Sequence, residues 1–200
     1  MRKNEVILIS TIYKGSASIQ AIKLFEPSKV YFIVDSQEDP IRKQGVIMVK
    51  ELFPKIIFEE VPTKMYDIVD IARKSMEVIQ REKKNKIIVH ISEGRKTMGL
   101  GLLFGSYVLR DLVDSAYYII EETNAPLKLP LIELSASPKK KQILLKMATN
   151  KPKITKLSKK LNITSSTLYV HLKELRDEGL LTKENTITEM GKIVLLNQKE

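Results

Sequence analysis

The sequence predicts an α/β protein, in which a mostly parallel sheet domain (residues 1–135) is followed by a small helical domain (residues 136–200). Three features of the 200-residue chain support this division. In the first part, short apolar runs alternate with helical patterns, as in a parallel sheet covered on both faces. Residues 135–138, Ser-Ala-Ser-Pro, read as a linker. The second part has two short amphipathic helices and most of the net positive charge.

Apolar periodicity predicts the elements of the first domain in chain order. The expected strands are residues 6–12, 30–34, 55–61, 86–91, 116–120 and 131–134. The expected helices are residues 16–24, 41–52, 65–81 and 97–113. Pro126 and Pro130 indicate a loop before the last strand, because proline removes a backbone donor.

The fourth predicted helix is rich in small residues that form helices poorly. These residues are Gly99, Gly101, Gly105 and Ser106. Tight packing of the helix on its own sheet is the simpler explanation. The alternative is contact with the same helix of a second subunit, and on this basis we expect a homodimer.

Residues 154–181 predict two short helices joined by a tight turn, which is the helix-turn-helix layout. The apolar faces of these helices contain Leu157, Leu161, Leu168, Leu172 and Leu175. Thr164 is a suitable N-cap for the second helix, and Gly179 is the expected helix stop. In this motif the second helix enters the major groove of DNA, so double-stranded DNA is the expected partner.

The outer face of the second helix is the predicted DNA-reading surface. The candidate residues are Thr164, Ser165, Ser166, Tyr169, Val170 and Lys173, with Lys183 in a short hairpin, the wing, at residues 180–188. Residues near the helix start usually meet base edges, whereas Lys173 lies a turn further on and is expected to contact phosphate. A closing helix is expected at residues 189–197.

Charge is unevenly distributed along the chain, whose net charge is +10. Residues 1–135 contain 20 Lys and Arg against 18 Asp and Glu, while residues 136–200 contain 14 against 6. Nine lysines fall between Lys139 and Lys160. Such a block is expected of a phosphate-binding face, although a solvated lysine-rich surface is the alternative.

The composition argues against several classes of site. No cysteine is present, which excludes disulfides and thiolate nucleophiles. The two histidines, His90 and His171, are far apart in sequence, so no metal site is expected. No apolar run approaches the roughly 18 residues that would span a membrane. The apolar run at the N-terminus is also too short for a signal peptide, and a cytoplasmic location is expected.

Two loops are candidate ligand-binding segments, because ligands of open parallel sheets bind beyond the carboxyl ends of the strands. They are residues 10–16 and 92–98. Both place hydroxyls, a glycine and cations before a helix, whose free amides can hold phosphate. N-capping serines and a solvated loop are the structural alternatives. Neither loop has the dinucleotide fingerprint, and no P-loop sequence occurs in the chain.

The segment Ser92-Glu93-Gly94-Arg95-Lys96-Thr97-Met98, followed by the small-residue helix and then the helix-turn-helix, resembles the CRISPR-associated Rossmann-fold (CARF) transcription regulators of archaea. Residues 154–181 resemble winged-helix regulators of the MarR/ArsR type. The first resemblance covers the whole chain. It implies a role in antiviral defense and a Rossmann-like domain that dimerises around a cyclic oligoadenylate, with cyclic tetra-adenylate as the first candidate.

The resemblance also implies the residues of the ligand site. They are Ser10, Thr11, Tyr13, Lys14 and Gly15 on one wall, and Ser92, Gly94, Arg95, Lys96, Thr97 and Met98 on the other. Glu93 departs from the pattern, since glycine is expected at this position. A carboxylate repels phosphate, so Glu93 is expected to point away from the ring or to contact an adenine amine.

The leading hypothesis is a non-catalytic regulator without cofactors, whose DNA affinity is modulated by the cyclic nucleotide. The first alternative is a ring nuclease that cleaves the cyclic oligoadenylate, with Ser10 and Lys96 as candidate residues. Further alternatives are a MarR/ArsR-like regulator of another ligand, and an architectural DNA-binding protein without a ligand.

Overall fold

The computed structural model describes residues 5–150, without the side chain of residue 150, and residues 152–197. Contacts divide the chain into two units, Met1–Glu133 and Leu134–Glu200. The division lies two residues before the boundary at residue 135 that the sequence predicts. The closing helix predicted at residues 189–197 lies within the described residues, and the observed helix covers Glu189–Leu195.

The first unit contains one six-stranded sheet and four α-helices. Its strands are β1 (Val6–Thr11), β2 (Lys29–Asp35), β3 (Ile57–Thr63), β4 (Lys86–His90), β5 (Ser115–Ile119) and β6 (Pro126–Leu129). Its helices are α1 (Ser16–Phe25), α2 (Pro40–Leu52), α3 (Ile68–Arg81) and α4 (Lys96–Val108). A short 3-10 turn, Arg110–Leu112, follows α4, so the predicted helix at 97–113 ends earlier than expected.

The strand order is β3-β2-β1-β4-β5-β6, and β1 to β5 are parallel. This arrangement confirms the Rossmann-like α/β fold that the sequence predicts. The order reverses between β1 and β4. At such a switch point the two following loops lie on opposite faces of the sheet and leave a crevice at the carboxyl ends of the strands.

The last strand of the sheet differs from the prediction. Residues 131–134 are not a strand, and β6 instead pairs antiparallel with β5 from Ala116↔Leu129 to Ile119↔Pro126. The chain reverses through Asn124, which has φ 55°, a left-handed conformation that Asn tolerates better than most residues. Pro126 is acceptable because it is the first residue of an edge strand, where it removes no essential donor.

Two of the small residues of α4, Gly101 and Gly105, pack against α3 of the same chain. A Cβ on Gly101 would lie 2.6 Å from Cβ of Ile71, and one on Gly105 would lie 2.8 Å from the carbonyl oxygen of Ala72. These glycines therefore allow two helices to approach closely within one subunit. The expectation of packing on the sheet alone was incomplete, and the glycines give no support to a dimer contact.

The second unit contains α5 (Pro138–Asn150), α6 (Ile154–Leu161), α7 (Ser165–Asp177) and α8 (Glu189–Leu195). Thr164 caps α7 by accepting a hydrogen bond from the backbone N–H of Thr167, and Gly179 follows the helix with φ 70°. Both predictions for the turn residues are confirmed. The predicted wing hairpin is reduced to one antiparallel bridge, Leu181↔Ile187.

Helix α5 was not predicted, and it changes the interpretation of the lysine block. Its buried residues Ile143, Leu144 and Met147 pack into the same core as the leucines of α6 and α7. The three lysines in the first turns of α5 form hydrogen bonds or ion pairs with other residues of the same unit. Nζ of Lys139 donates to the carbonyl oxygen of Leu161 at 3.3 Å, Nζ of Lys141 donates to that of Asn197 at 2.9 Å, and Lys140 forms ion pairs with Glu174 and Glu178.

The block is therefore not uniformly a phosphate-binding face. Three consecutive lysines tie α5 to its neighbours, whereas Lys156, Lys159 and Lys160 on α6 are exposed.

Candidate functional site

A cavity of about 140 Å³ lies at the carboxyl ends of β1 and β2 and beside the loop after β4. Five residues of the predicted ligand site line it, namely Thr11, Tyr13, Gly94, Arg95 and Met98. The remaining lining residues are Ile12, Ile33, Val34, Asp35, Asp39, Arg42 and Met65. The structure thus brings together residues from both loops that the sequence singled out, and Gly94 and Arg95 at its rim are exposed.

Thr11 lines the cavity and has an unsatisfied polar group. The residue is fully buried at the end of β1, and its Oγ1 has no hydrogen-bond partner among the described residues. Leaving a buried polar atom unpaired costs about 1–3 kcal/mol. A ligand that hydrogen-bonds to this hydroxyl would recover that cost.

The charged groups of the cavity are balanced in sign. Arg42 and Arg95 are cationic, and Asp35 and Asp39 carry carboxylates. Oδ1 of Asp39 accepts from the backbone N–H of Arg42 at 3.0 Å and caps α2, while Oδ1 of Asp35 accepts from the N–H of Gln37 at 3.2 Å. Such a cavity suits a molecule that carries both an anionic group and hydrogen-bond donors.

Six residues of the predicted ligand site lie outside the lining of the cavity. Ser10 is buried and donates to the carbonyl oxygen of Thr11 at 2.7 Å. Oγ of Ser92 accepts from the backbone N–H of Ile119, and the hydroxyl of Thr97 donates to the carbonyl oxygen of Met65 at 2.7 Å. Lys14 and Lys96 are exposed, and Gly15 is buried. Ser92 and Thr97 thus connect the segment after β4 to β5 and to the segment before α3, whereas the bond of Ser10 to Thr11 is local.

Glu93 belongs to the loop after β4, and its side chain reaches the segment after β1. Its carboxylate accepts hydrogen bonds from five donors at the start of α1. They are the backbone N–H groups of Tyr13 (3.2 Å), Gly15 (3.0 Å) and Ala17 (2.8 Å) and the hydroxyls of Ser16 and Ser18 (both 3.2 Å). The amides that the sequence offered for a phosphate are therefore bound by a carboxylate of the protein itself.

Sequence reasoning missed the side of the cavity formed by the end of β2 and the start of α2. Asp35 ends β2, and Asp39 with Arg42 begins α2. A signal was available, because Asp39-Pro40 combines an N-cap residue with proline at the first helical position. Once β2 is placed beside β1, its carboxyl end must reach the same crevice.

His90 at the end of β4 is buried beside this site. Its Nδ1 lies 2.8 Å from Oγ of Ser10, and its Nε2 has no partner among the described residues. Burial lowers the pKa of His90 from 6.5 to about 4. The folded protein therefore holds a neutral imidazole that becomes protonated only well below neutral pH.

We expect His90 to make the protein less stable in mild acid. Its pKa is lower in the folded state, so the unfolded chain binds more protons between about pH 6.5 and 4, and stability falls as pH falls through that window. From pH 7.5 to 5 the contribution of His90 should fall by about 2 kcal/mol. Urea denaturation of wild type and His90→Gln at both pH values measures this. An equal loss of stability in the two proteins would contradict it.

The outer face of α7 presents the predicted DNA-reading residues. Tyr169 and Val170 have exposed fractions of 57% and 55%, and Ser166 and Lys173 are also exposed. Thr164 is used for capping, and Oγ of Ser165 lies 3.4 Å from Oγ of Ser158 on α6. Lys183 is exposed beside the Leu181↔Ile187 bridge. Bulky apolar groups exposed on a helix-turn-helix are suited to contact thymine methyls.

Within residues 5–150 and 152–197, none of the helices combines the length and the apolar character needed to cross a membrane. No group of three or more His, Cys, Asp or Glu side chains in the same part of the chain is arranged to hold a metal ion.

Residues 137–183 match the family described as "Bacterial regulatory protein, arsR family". No curated protein matches the chain in sequence. Among solved structures, the chain is similar to Csm6 from Enterococcus italicus bound to cyclic hexa-2'-fluoro-hexa-dAMP. The TM-score is 0.53 at 11% identity, over 87% of this chain and 52% of Csm6. The chain therefore spans about half the length of that protein.

A second similar structure is Can2 from Sulfobacillus thermosulfidooxidans in complex with cyclic tetra-adenylate. The TM-score is 0.46 at 13% identity, over 96% of this chain and 63% of Can2. A likeness of this size supports no argument. The Csm6 match and the arsR-family match together bear out the fold and the domain order that the resemblance to CARF regulators implied.

Proposed function

We propose that this chain, which has the fold of a CARF domain followed by an arsR-family helix-turn-helix, is a cytoplasmic transcription regulator whose binding to DNA is controlled by a cyclic oligoadenylate. The observation that carries the proposal is the presence, in one chain, of a helix-turn-helix and of a cavity whose polar lining suits a nucleotide. No cofactor is required for this function.

The chemistry of the cavity matches the parts of an adenylate. Arg95 is suited to a phosphate, because hydrogen bonds between opposite charges are the stronger ones. The unpaired hydroxyl of Thr11 can donate a neutral hydrogen bond in addition. The carboxylates of Asp35 and Asp39 can accept from ribose hydroxyls or from the adenine amine. Met98 and Ile33 offer apolar contact for the purine.

The size of the cavity supports a site shared by two subunits. Sites that enclose a whole small molecule usually measure roughly 300–1,000 Å³, whereas this cavity measures about 140 Å³. One chain would therefore hold only part of a ring. A ring with an even number of adenylates can share the two-fold axis of a homodimer, the commonest oligomer, and cyclic tetra-adenylate is the first candidate.

The arrangement of Ser10 favours a regulator over a ring nuclease. Ser10 is fully buried and already donates to the carbonyl oxygen of Thr11, so its hydroxyl is directed into the protein. Lys96 is exposed and outside the lining of the cavity. Neither of the two side chains named for nuclease activity lines the cavity, which favours the regulator.

The test is the effect of the ligand on DNA affinity. We expect saturating cyclic tetra-adenylate to change the dissociation constant for promoter DNA upstream of the encoding operon by about 5–150-fold, the usual range for coupled sites. Fluorescence anisotropy at fixed salt measures it, with cyclic tetra-uridylate as the control ligand. Arg95→Ala should bind DNA as wild type does without ligand, and should not respond to ligand.

Two outcomes would contradict the proposal. Unchanged DNA affinity in the presence of bound ligand would remove the regulatory coupling. Linear oligoadenylate in the reaction mixture, detected by chromatography at a rate that exceeds the buffer control, would favour the ring nuclease.

A further inference from the structure

The loop after β1 is confined between Glu93 on one side and α2 on the other. Gly15 has φ 91° at the start of α1. On the other side, a Cβ on Gly45 of α2 would lie 2.5 Å from the carbonyl oxygen of Tyr13, so the loop and α2 are in close contact. The loop has little room to move, and the direction of its N–H groups is fixed by the structure around it.

The fixed N–H groups form an anion-binding nest. The N–H groups of Gly15 and Ala17 converge on Oε2 and Oε1 of Glu93 at 3.0 and 2.8 Å. Converging backbone amides at a helix N-terminus favour negative charge, and phosphate is a frequent occupant of such sites. Here the occupant is a carboxylate with five donors, two from the loop after β1 and three from the first residues of α1.

We propose that Glu93 is a built-in anion that fills the nest and closes it to ligand phosphates. A phosphate that approached the nest would meet a negative charge and find the amides already bound. The phosphate is then received in the cavity, by Thr11 at the end of β1 and by Gly94 and Arg95 in the loop after β4. This second step rests on the proposed function, whereas the occupancy of the nest does not.

Glu93 acts as a positioning residue rather than as a ligand contact. It connects the loop after β4, which contains Gly94 and Arg95, to the loop after β1, which contains Thr11 and Tyr13. Both loops line the cavity. Fixing one loop against the other fixes the distance between the two phosphate-binding walls, and the carboxylate performs this without lining the cavity itself.

The experiment uses inorganic phosphate as the probe of the nest. Glu93→Ala should lower the melting temperature, and phosphate should then restore part of it by entering the vacated nest. The expected recovery is about 2–4 °C at roughly five times the dissociation constant of phosphate. Potassium chloride at equal ionic strength should give no such recovery. Wild type and the exposed-acid control Glu122→Ala should respond equally little.

A second background separates the nest from the cavity. Phosphate bound by Arg95 would stabilise every protein that retains that arginine, so the comparison is repeated with Arg95→Ala and with Glu93→Ala/Arg95→Ala. Phosphate should still raise the melting temperature of the double variant, whereas it should not raise that of Arg95→Ala. Glu93→Gln is the substitute if the alanine variant does not fold. It keeps the shape of the side chain but replaces one acceptor by a donor. We expect it to fold and to be less stable than wild type.

Three results would overturn the inference. The first is a Glu93→Ala protein that phosphate stabilises no more than wild type. The second is a Glu93→Gln protein as stable as wild type. The third is a change in the NMR spectrum of wild type, in which the amide resonances of Gly15 and Ala17 shift when phosphate is added. Such a shift would mean that the nest is open to phosphate. If cyclic tetra-adenylate fails to bind while phosphate still rescues Glu93→Ala, only the ligand assignment falls.

Discussion

Replacing Arg95 with alanine is expected to lower the affinity for cyclic tetra-adenylate by roughly two to four decades. Arg95 begins the turn into α4 and lines the cavity next to Gly94. Each hydrogen bond to a charged group contributes about 1.5–3 kcal/mol, and a two-fold dimer loses the contact twice. Isothermal titration calorimetry of the two proteins at the same salt concentration measures the change.

A variant of the neighbouring Lys96 is expected to have a smaller effect on the affinity for cyclic tetra-adenylate. Lys96 is exposed and does not line the cavity, so Lys96→Ala should weaken binding less than Arg95→Ala does. Lys84→Ala, which removes an exposed cation before β4, is the control for net charge and should bind as wild type. If Arg95→Ala bound as tightly as Lys84→Ala, the cavity would not be the phosphate site.

The sequence predicted the elements that local pattern determines. Apolar runs such as Ile7–Ile9 of β1 and Tyr31–Ile33 of β2 are fully buried or nearly so, and these runs were recognised as strands. Local chemistry also located the start of α7 at Thr164. These predictions succeeded because a strand buried on both faces, or a helix cap, is specified by adjacent residues.

Prediction failed where distant segments decide the structure. The carboxyl end of β2 reaches the cavity because β2 pairs with β1. The residues next to Asp35 in the sequence do not indicate that pairing. Glu93 is expected to point away from a ring or to contact an adenine amine, and it does not line the cavity, but the sequence did not indicate which groups hold its carboxylate. Its partners lie 75 to 80 positions earlier in the chain, and the sequence offers no local sign of them.

Two elements were missed for reasons of composition. Helix α5 begins with Lys139, Lys140 and Lys141, so its short apolar face at Ile143, Leu144 and Met147 was overlooked in a charged segment. The sequence predicts the last strand after Pro130, because proline indicates a loop, whereas β6 begins at Pro126. An edge strand tolerates proline at its first residue, and the hairpin turn at Asn124 was the better signal.

Binding of DNA by the helix-turn-helix is expected to weaken steeply with salt. A protein that neutralises six to ten phosphates loses about three to five decades in affinity between 50 and 200 mM salt. Exposed lysines available for this include Lys156, Lys159 and Lys160 on α6, Lys173 on α7 and Lys183 in the wing. Anisotropy titrations of one duplex over this salt range give the slope. A flat salt dependence would contradict a phosphate-binding face.

A pair of lysine variants separates phosphate contact from internal structure. Lys173 is exposed on the reading face of α7, and Lys173→Ala should lower affinity for all duplexes alike and reduce the salt slope by about 1 per subunit. Lys140 is held by Glu178 and Glu174, whose hydrogen bonds raise its pKa. Lys140→Ala should therefore leave the slope unchanged and lower the melting temperature of the unit instead. If Lys140→Ala reduced the slope as much as Lys173→Ala, the block from Lys139 to Lys160 would be one continuous phosphate-binding face, and the division between structural and DNA-contacting lysines would be wrong.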